Sequence, residues 1–272
     1  MTSETSKSQP TKTIPTGAAR LRAEVTTGCA TIIIDYPERH NVIDLEGWLA
    51  LPELIARLAR LPDMRLIVMR GAGGRAFVAG ADIAQFDEKY SGPHGSHYDT
   101  ATIDAFDAVA ACPIPTFAAI EGYCIGGGLG LALACDLRLA RDDSSFAIPA
   151  ARLGLAYPPN ATDRLRATVG PSHAKDILFT ARRLDASQAL AMGLVNYVTS
   201  TADFDTELAH HVATICTNAP LTLKAAKAVI ERHPDTDQAE IDQKIAACFA
   251  SADYEEGRTA FMQKRPPEFS GN

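Results

Sequence analysis

The stretch "GYCIGGGLGLALACD", residues 122–136, decides how this chain folds. Three consecutive glycines, Gly126, Gly127 and Gly128, stand where an apolar strand gives way to a helix of small residues. The first N–H groups of a helix have no partner inside it, and the helix dipole favours negative charge there. Glycines at that point leave those groups uncovered. They also permit tight turns and close helix packing, with no ligand involved.

A second segment settles the choice. "AGAD", residues 79–82, also follows a strand and also carries glycine. Two sets of unshielded N–H groups converging on one point make an oxyanion hole, which stabilises charge that develops during reaction. Just upstream, Gly71 to Ala76 spell a formal G-x-G-x-x-A. A dinucleotide loop must open directly into a helix. Here "AFVAGAD" follows instead, with another glycine and no helical face. No phosphate-loop motif of the G-x-x-x-x-G-K-[ST] kind occurs.

Working outward, "LRAEV" and "CATIIID" around "TTG" predict a hairpin. Residues 44–61 carry apolar side chains at helical spacing behind Asp44 as N-cap. "RLIVMR", "PTFAAI", "LRLAR" and "SFAI" read as strands, and "YDTATIDAFDAVAAC" as a helix that stops at Pro113 and Pro115. Beyond Pro158 the pattern turns helical, interrupted only by the strand "LVNYVT". The spacing predicts a disordered tail over 1–18, a β/α core over 19–200 and a helical region over 201–272.

Composition bounds the function. The chain has 272 residues with 46% hydrophobic and 22% charged, enough for a large core. A net charge of −7 offers no basic field, which argues against nucleic acid as a partner. No apolar run approaches the ~20 residues of a membrane span, and the polar N-terminus lacks the apolar stretch of a signal peptide. Six cysteines form no C-x-x-C pair and no metal spacing, so no metal is expected and a reducing cytoplasm fits. Cys124 has no neighbour in sequence to activate it as a nucleophile.

The ordered set "YPERHNVID", "RAFVAGADI", "GYCIGGGLGLALACDLRLA", "FAIPAARLGL", "AKDILFTARRLDASQALAMGLVNYV" and "EEGRTAFMQKRPPEF" resembles the crotonase superfamily of enoyl-CoA hydratases and isomerases. The resemblance runs from about Leu21 to the C-terminus. It implies an α/β fold, a spiral of ββα units with a helical trimerisation region. It also implies a homotrimer or a dimer of trimers, and an acyl-CoA ligand whose coenzyme A is part of the substrate, with no separate cofactor. The oxyanion donors it implies are the backbone N–H groups of Ala81 and Gly127. The "ERHN" loop, with Arg39 and His40, and "AGADI", with Ala79, Asp82 and Ile83, would contact the CoA. Phe261 and Lys264 in "AFMQK" match the family's CoA rim.

The chain departs from the family at its acid and base. Family hydratases use two glutamates, one three residues after the middle glycine and one after a proline about twenty residues on. Those positions hold Gly130 and Ala150. Asp136 and Asp142, the nearest carboxylates in sequence, read as structural or solvent-facing. Hydration needs a base for water and an acid for Cα, each worth ~10²–10⁴ in rate. Ordinary hydration is therefore expected to be slow. Tyr157, in "LGLAYPPN", resembles the tyrosine of the methylmalonyl-CoA decarboxylase branch, although Ala81 stands where that branch has histidine. Decarboxylation yields an enolate without a carboxylate base, and the phenol can donate to a substrate carboxylate. His94 and His97, in "SGPHGSHYD", are further acid/base candidates. Three functions stay open: a hydratase- or isomerase-like lyase with other proton-transfer groups, a malonyl-type decarboxylase, and a non-catalytic CoA-thioester binder or assembly subunit.

Overall fold

Pairing begins earlier than composition suggests. The computed structural model describes residues 11–80, 95–233 and 236–272. Lys12–Ile14 (β1) pairs antiparallel with Leu21–Thr26 (β2), which forms the expected hairpin with Cys29–Ile34 (β3). Residues 12–14 of the tail expected through residue 18 thus lie in a strand. β1 needs only the free backbone edge of β2, and Ile14 packs against the core. Polar composition does not register edge pairing of that kind.

Leu45–Ala59 (α1) starts at Asp44, whose carboxylate accepts the Gly47 N–H at 2.9 Å. Trp48, Leu51, Leu54, Ile55 and Leu58 recur at helical spacing and are buried. Leu66–Gly71 (β4) and Ala76–Val78 (β5) lead on to Gly95–Ala110 (α2). Thr116–Ile120 (β6) and Tyr123–Ile125 (β7) lead to Gly127–Ala134 (α3). Leu137–Arg141 (β8) and Ser145–Ala147 (β9) lead to the single turn Ala150–Leu153 (α4). The plan repeats three times: a strand, a second short strand, then a helix.

Each repeat sends its first strand to one sheet and its second to another. The larger sheet has the order β1-β2-β3-β4-β6-β8-β11, the last strand being Tyr197–Thr199 (β11). The smaller has the order β10-β9-β7-β5, with Leu184–Asp185 as β10. Pairing is parallel from β3 through β11 and along β5, β7 and β9. This is the ββα spiral within a mixed α/β fold. Between the strands and β11 lie Pro159–Thr180 (α5) and Ala186–Ala191 (α6). The two helical stretches read over 160–180 form one span, kinked at Gly170, where φ is 76°.

Side-chain alternation shows why the larger sheet needs cover on both faces. In β4, Ile67 and Met69 join the main core, while Leu66 and Val68 join a second cluster on the opposite face. In β6, Ala118 and Ile120 face one way, Phe117 and Ala119 the other. Phe204 and Leu208 of Phe204–Thr217 (α7) close that second face. Pro220–Ile230 (α8), Gln238–Phe249 (α9) and Ala252–Gln263 (α10) follow. No helix among the described residues is long and apolar enough to cross a membrane.

Candidate active site

The three glycines at the start of α3 answer to three different constraints. Gly126 has a φ of 56°, a left-handed conformation costly for residues with a Cβ. Gly128 packs onto β5, and a Cβ there would lie 2.0 Å from the Val78 carbonyl oxygen. Gly127 between them faces a cavity of about 340 Å³. As the first residue of α3, it has an N–H with no intrahelical acceptor.

The second strand end arrives at the same place. Ala79 and Gly80 line this cavity beside Ile125, Gly126 and Gly127. Gly80 has a φ of 100°, and a Cβ on it would meet the Ile125 carbonyl at 3.3 Å. The glycine-bearing ends of β5 and β7 are therefore adjacent. Ala81, Asp82, Ile83 and His94 lie outside the described residues. His97 falls in α2, but its side chain lies outside the described residues too.

The "ERHN" loop is tied to this corner through backbone. The Ala79 N–H donates to the His40 carbonyl at 3.0 Å, and the Ile43 N–H to that of Gly80 at 3.2 Å. Asn41 is buried, and its amide donates to the carbonyls of Ala72 and Ala76. Gly71 is glycine because a Cβ would meet Ala76 O at 2.1 Å and Asn41 Nδ2 at 2.6 Å. Close packing, not a dinucleotide, accounts for that formal motif. Arg39 is exposed beside it. The His40 ring meets Tyr123 edge-on at 5.5 Å, and its buried Nδ1 has no partner among the described residues.

The space beside Gly130 is filled. A Cβ on Gly130 would lie 2.5 Å from Phe106 Cζ and 2.9 Å from the Tyr157 hydroxyl. Ala150 lines the cavity at the start of α4. Tyr157 lines it too, and its hydroxyl donates to the Gly126 carbonyl at 3.0 Å. Burial, with Cys124 nearby, pushes the phenol above its usual range, so it stays protonated. The Cys124 thiol is likewise pushed up by burial, which leaves it a core residue without nucleophilic character.

Three lining residues were not legible beforehand. Asp99, Thr102 and Phe106 share one face of α2, at i, i+3 and i+7. Asp99 is the one carboxyl group among the described lining residues. The Thr102 hydroxyl is engaged with the Tyr98 carbonyl at 2.9 Å. Helical spacing could have grouped the three, but only packing shows which face meets the cavity.

Other candidates lie elsewhere. Asp136 accepts from the Thr116 N–H at 2.7 Å and from Lys227 Nζ at 2.8 Å, a structural tie between sheet and α8. Asp142 accepts from the Thr201 hydroxyl. Phe261 is 83% exposed on α10, beside Phe249 and Tyr254. Lys264 caps the end of that helix with a φ of 54°. Neither lines the Gly127 cavity.

A family model described as enoyl-CoA hydratase/isomerase matches residues 24–272. The chain is 31% identical over 247 residues to a crotonyl-CoA hydratase of Syntrophomonas wolfei, covering 88% of this chain and 94% of that one. Among solved structures, an enoyl-CoA hydratase/carnithine racemase from Magnetospirillum magneticum superposes with a TM-score of 0.89. It is 34% identical, over 94% of this chain and 97% of its own. DspI of Pseudomonas aeruginosa superposes with a TM-score of 0.84 at 32% identity, over 93% of this chain and 97% of its own. The chain belongs to the enoyl-CoA hydratase/isomerase family.

Proposed function

We propose that the chain is an acyl-CoA enzyme that works through a thioester enolate, with the thioester oxygen held by the Gly127 N–H. One observation carries this: the N-terminus of α3, uncapped by any side chain among the described residues, opens into a cavity walled mainly by apolar side chains, beside the glycine end of β5. The Ala81 N–H, one residue past Gly80, is the second donor. The relatives' names, crotonyl-CoA hydratase among them, support enoyl-CoA chemistry. Arg39, His40, Asp82 and Ile83 contact the CoA. No cofactor beyond the substrate's coenzyme A takes part.

With Gly130 and Ala150 in place of the glutamates, proton transfer falls to Asp99, the one carboxyl group among the described lining residues. One carboxylate suffices for moving a proton between two carbons of an enolate, so a double-bond shift is favoured over fast hydration. A second reading, a malonyl-type decarboxylase, is favoured by the Phe106 ring and Tyr157 hydroxyl in the glutamate's place. That filling leaves no carboxylate there to repel a substrate carboxylate. The helices after β11 carry the assembly into a homotrimer or dimer of trimers. Phe261 and Lys264 reach a CoA across a contact between copies.

The experiment compares crotonyl-CoA hydration, the double-bond shift of a 3-enoyl-CoA and CO₂ release from methylmalonyl-CoA. Double-bond movement, with hydration slow, is the expected outcome. Gly127→Val should then lower turnover by ~10²–10³-fold, the scale of one oxyanion donor. CO₂ release would select the decarboxylase. Binding without any of the three reactions would leave a CoA-thioester binder.

A further inference from the structure

We propose that Tyr157 is a positioning residue, which aims and strengthens the Gly127 N–H by holding the carbonyl at the other end of the same peptide group. This rests on the acyl-CoA reading of the site. The Gly126 C=O and Gly127 N–H belong to one planar trans peptide, so they point in opposite directions. The carbonyl accepts two hydrogen bonds, from the Gly130 N–H at 3.1 Å and the Tyr157 hydroxyl at 3.0 Å. Both of its lone pairs are engaged on the helix side. The N–H is thereby fixed outward from the helix N-terminus, toward the cavity. Donation to a carbonyl also polarises its peptide, and chained hydrogen bonds reinforce one another by roughly 10–30% each.

The same geometry changes what the phenol does. Its proton is committed to Gly126, so it is not free for a substrate carboxylate, the role the sequence suggested. It acts through Gly127. The arrangement also explains residue 130. A Cβ there would lie 2.9 Å from the hydroxyl, so a side chain at 130 and this hydroxyl exclude each other.

The test separates the carbonyl from the rest of the ligand. Calorimetry on the full chain measures butyryl-CoA, a thioester, against S-butyl-CoA, a thioether with no carbonyl. Tyr157→Phe removes the hydroxyl and keeps the ring. It should weaken butyryl-CoA by about 3- to 10-fold, the scale of one neutral hydrogen bond, and leave S-butyl-CoA unchanged. The infrared carbonyl stretch of bound ¹³C-labelled thioester should move toward its value in water. Equal weakening of both ligands would reduce Tyr157 to a packing residue, and unchanged affinities would overturn the proposal. Failure of the wild type to bind either CoA ligand would sink the acyl-CoA reading itself.

Discussion

The turn at Gly126–Gly130 and the helices at the C-terminus obey opposite rules. Around the turn, backbone and side chains leave no slack. A Cβ at Gly128 would come within 2.0 Å of a neighbouring carbonyl, at Gly122 within 2.1 Å, and at Gly130 within 2.5 Å of a ring. On the C-terminal helices, large apolar side chains lie open: Ile230 is 79% exposed, Met262 80% and Phe261 83%. One region is finished by the chain's own packing. The other carries apolar surface that the described residues do not cover. A chemical site belongs in the first kind of region, where geometry is fixed to tenths of an ångström. An assembly surface belongs in the second.

The sharpest way to break this contrast is Gly128→Ala. In a helix interior, alanine ordinarily gains about 1 kcal/mol over glycine. Here the methyl group meets backbone, which cannot swing aside. The expected result is the reverse sign, with unfolding free energy falling toward the upper end of the ~1–3 kcal/mol range for overpacking. Acyl-CoA binding should be lost with it. Urea unfolding and calorimetry on the same samples check both. A neutral or stabilised variant would mean that α3 can slide off β5, and that the Gly127 N–H is not held in place.

The complementary substitution targets the open surface. Phe249→Asp with Phe261→Asp should leave the chain's own unfolding within about 0.5 kcal/mol, as surface changes usually do. Light scattering should show the proposed trimer or hexamer giving way to monomer. CoA affinity should drop in parallel if Phe261 and Lys264 serve a neighbouring copy's ligand. Unchanged mass would assign these side chains to some other contact and leave the assembly to different residues.

Much of the architecture was readable because it rests on local chemistry. The β2–β3 hairpin, the Asp44 cap and the strand-to-glycine-to-helix order at 116–134 follow from short-range signals. β1, β5, β7 and β10 are only two or three residues long, too short for any period to show. They exist because a neighbouring strand offers an edge. That residues 130 and 150 are glycine and alanine needs only the sequence. What fills Gly130's neighbourhood was not legible there. Phe106 sits 24 residues upstream and Tyr157 27 downstream, and only the packing of α2 and α5 on α3 brings them together. Placing a glutamate at 130 thus requires Phe106 to move as well. The place of Asp99 is hidden for the same reason: helical spacing alone does not say which face of α2 turns inward.

The smallest expected effect is electrostatic, and it falls on the C-terminal side of the comparison. Arg265 grips Glu256 with two nitrogens, at 2.6 and 2.8 Å, and the Glu268 N–H donates to the same carboxylate at 2.9 Å. The arginine hydrogen bond, with the backbone donor second, brings the Glu256 carboxyl down to about 2. A depressed folded value means that this contribution to stability is present above the unfolded glutamate value near 4.5. It fades as the pH falls through that value toward 2. The pair is exposed and screened by salt, so the change in stability is small. NMR titration of the Glu256 side chain should give a midpoint near 2, and Arg265→Gln should return it to the ordinary glutamate range. Among the described residues the Gly127 turn has no ionic link of this kind: its contacts are carbonyls, amides and a phenol that stays protonated. Acid between pH 4.5 and 3 should therefore loosen the 264–272 tail before it alters the cavity. Hydrogen exchange across the two regions, run at several pH values, reads that order directly. Cavity amides that open first on acidification would show that the glycine turn, and not the C-terminal clasp, is the weaker of the two.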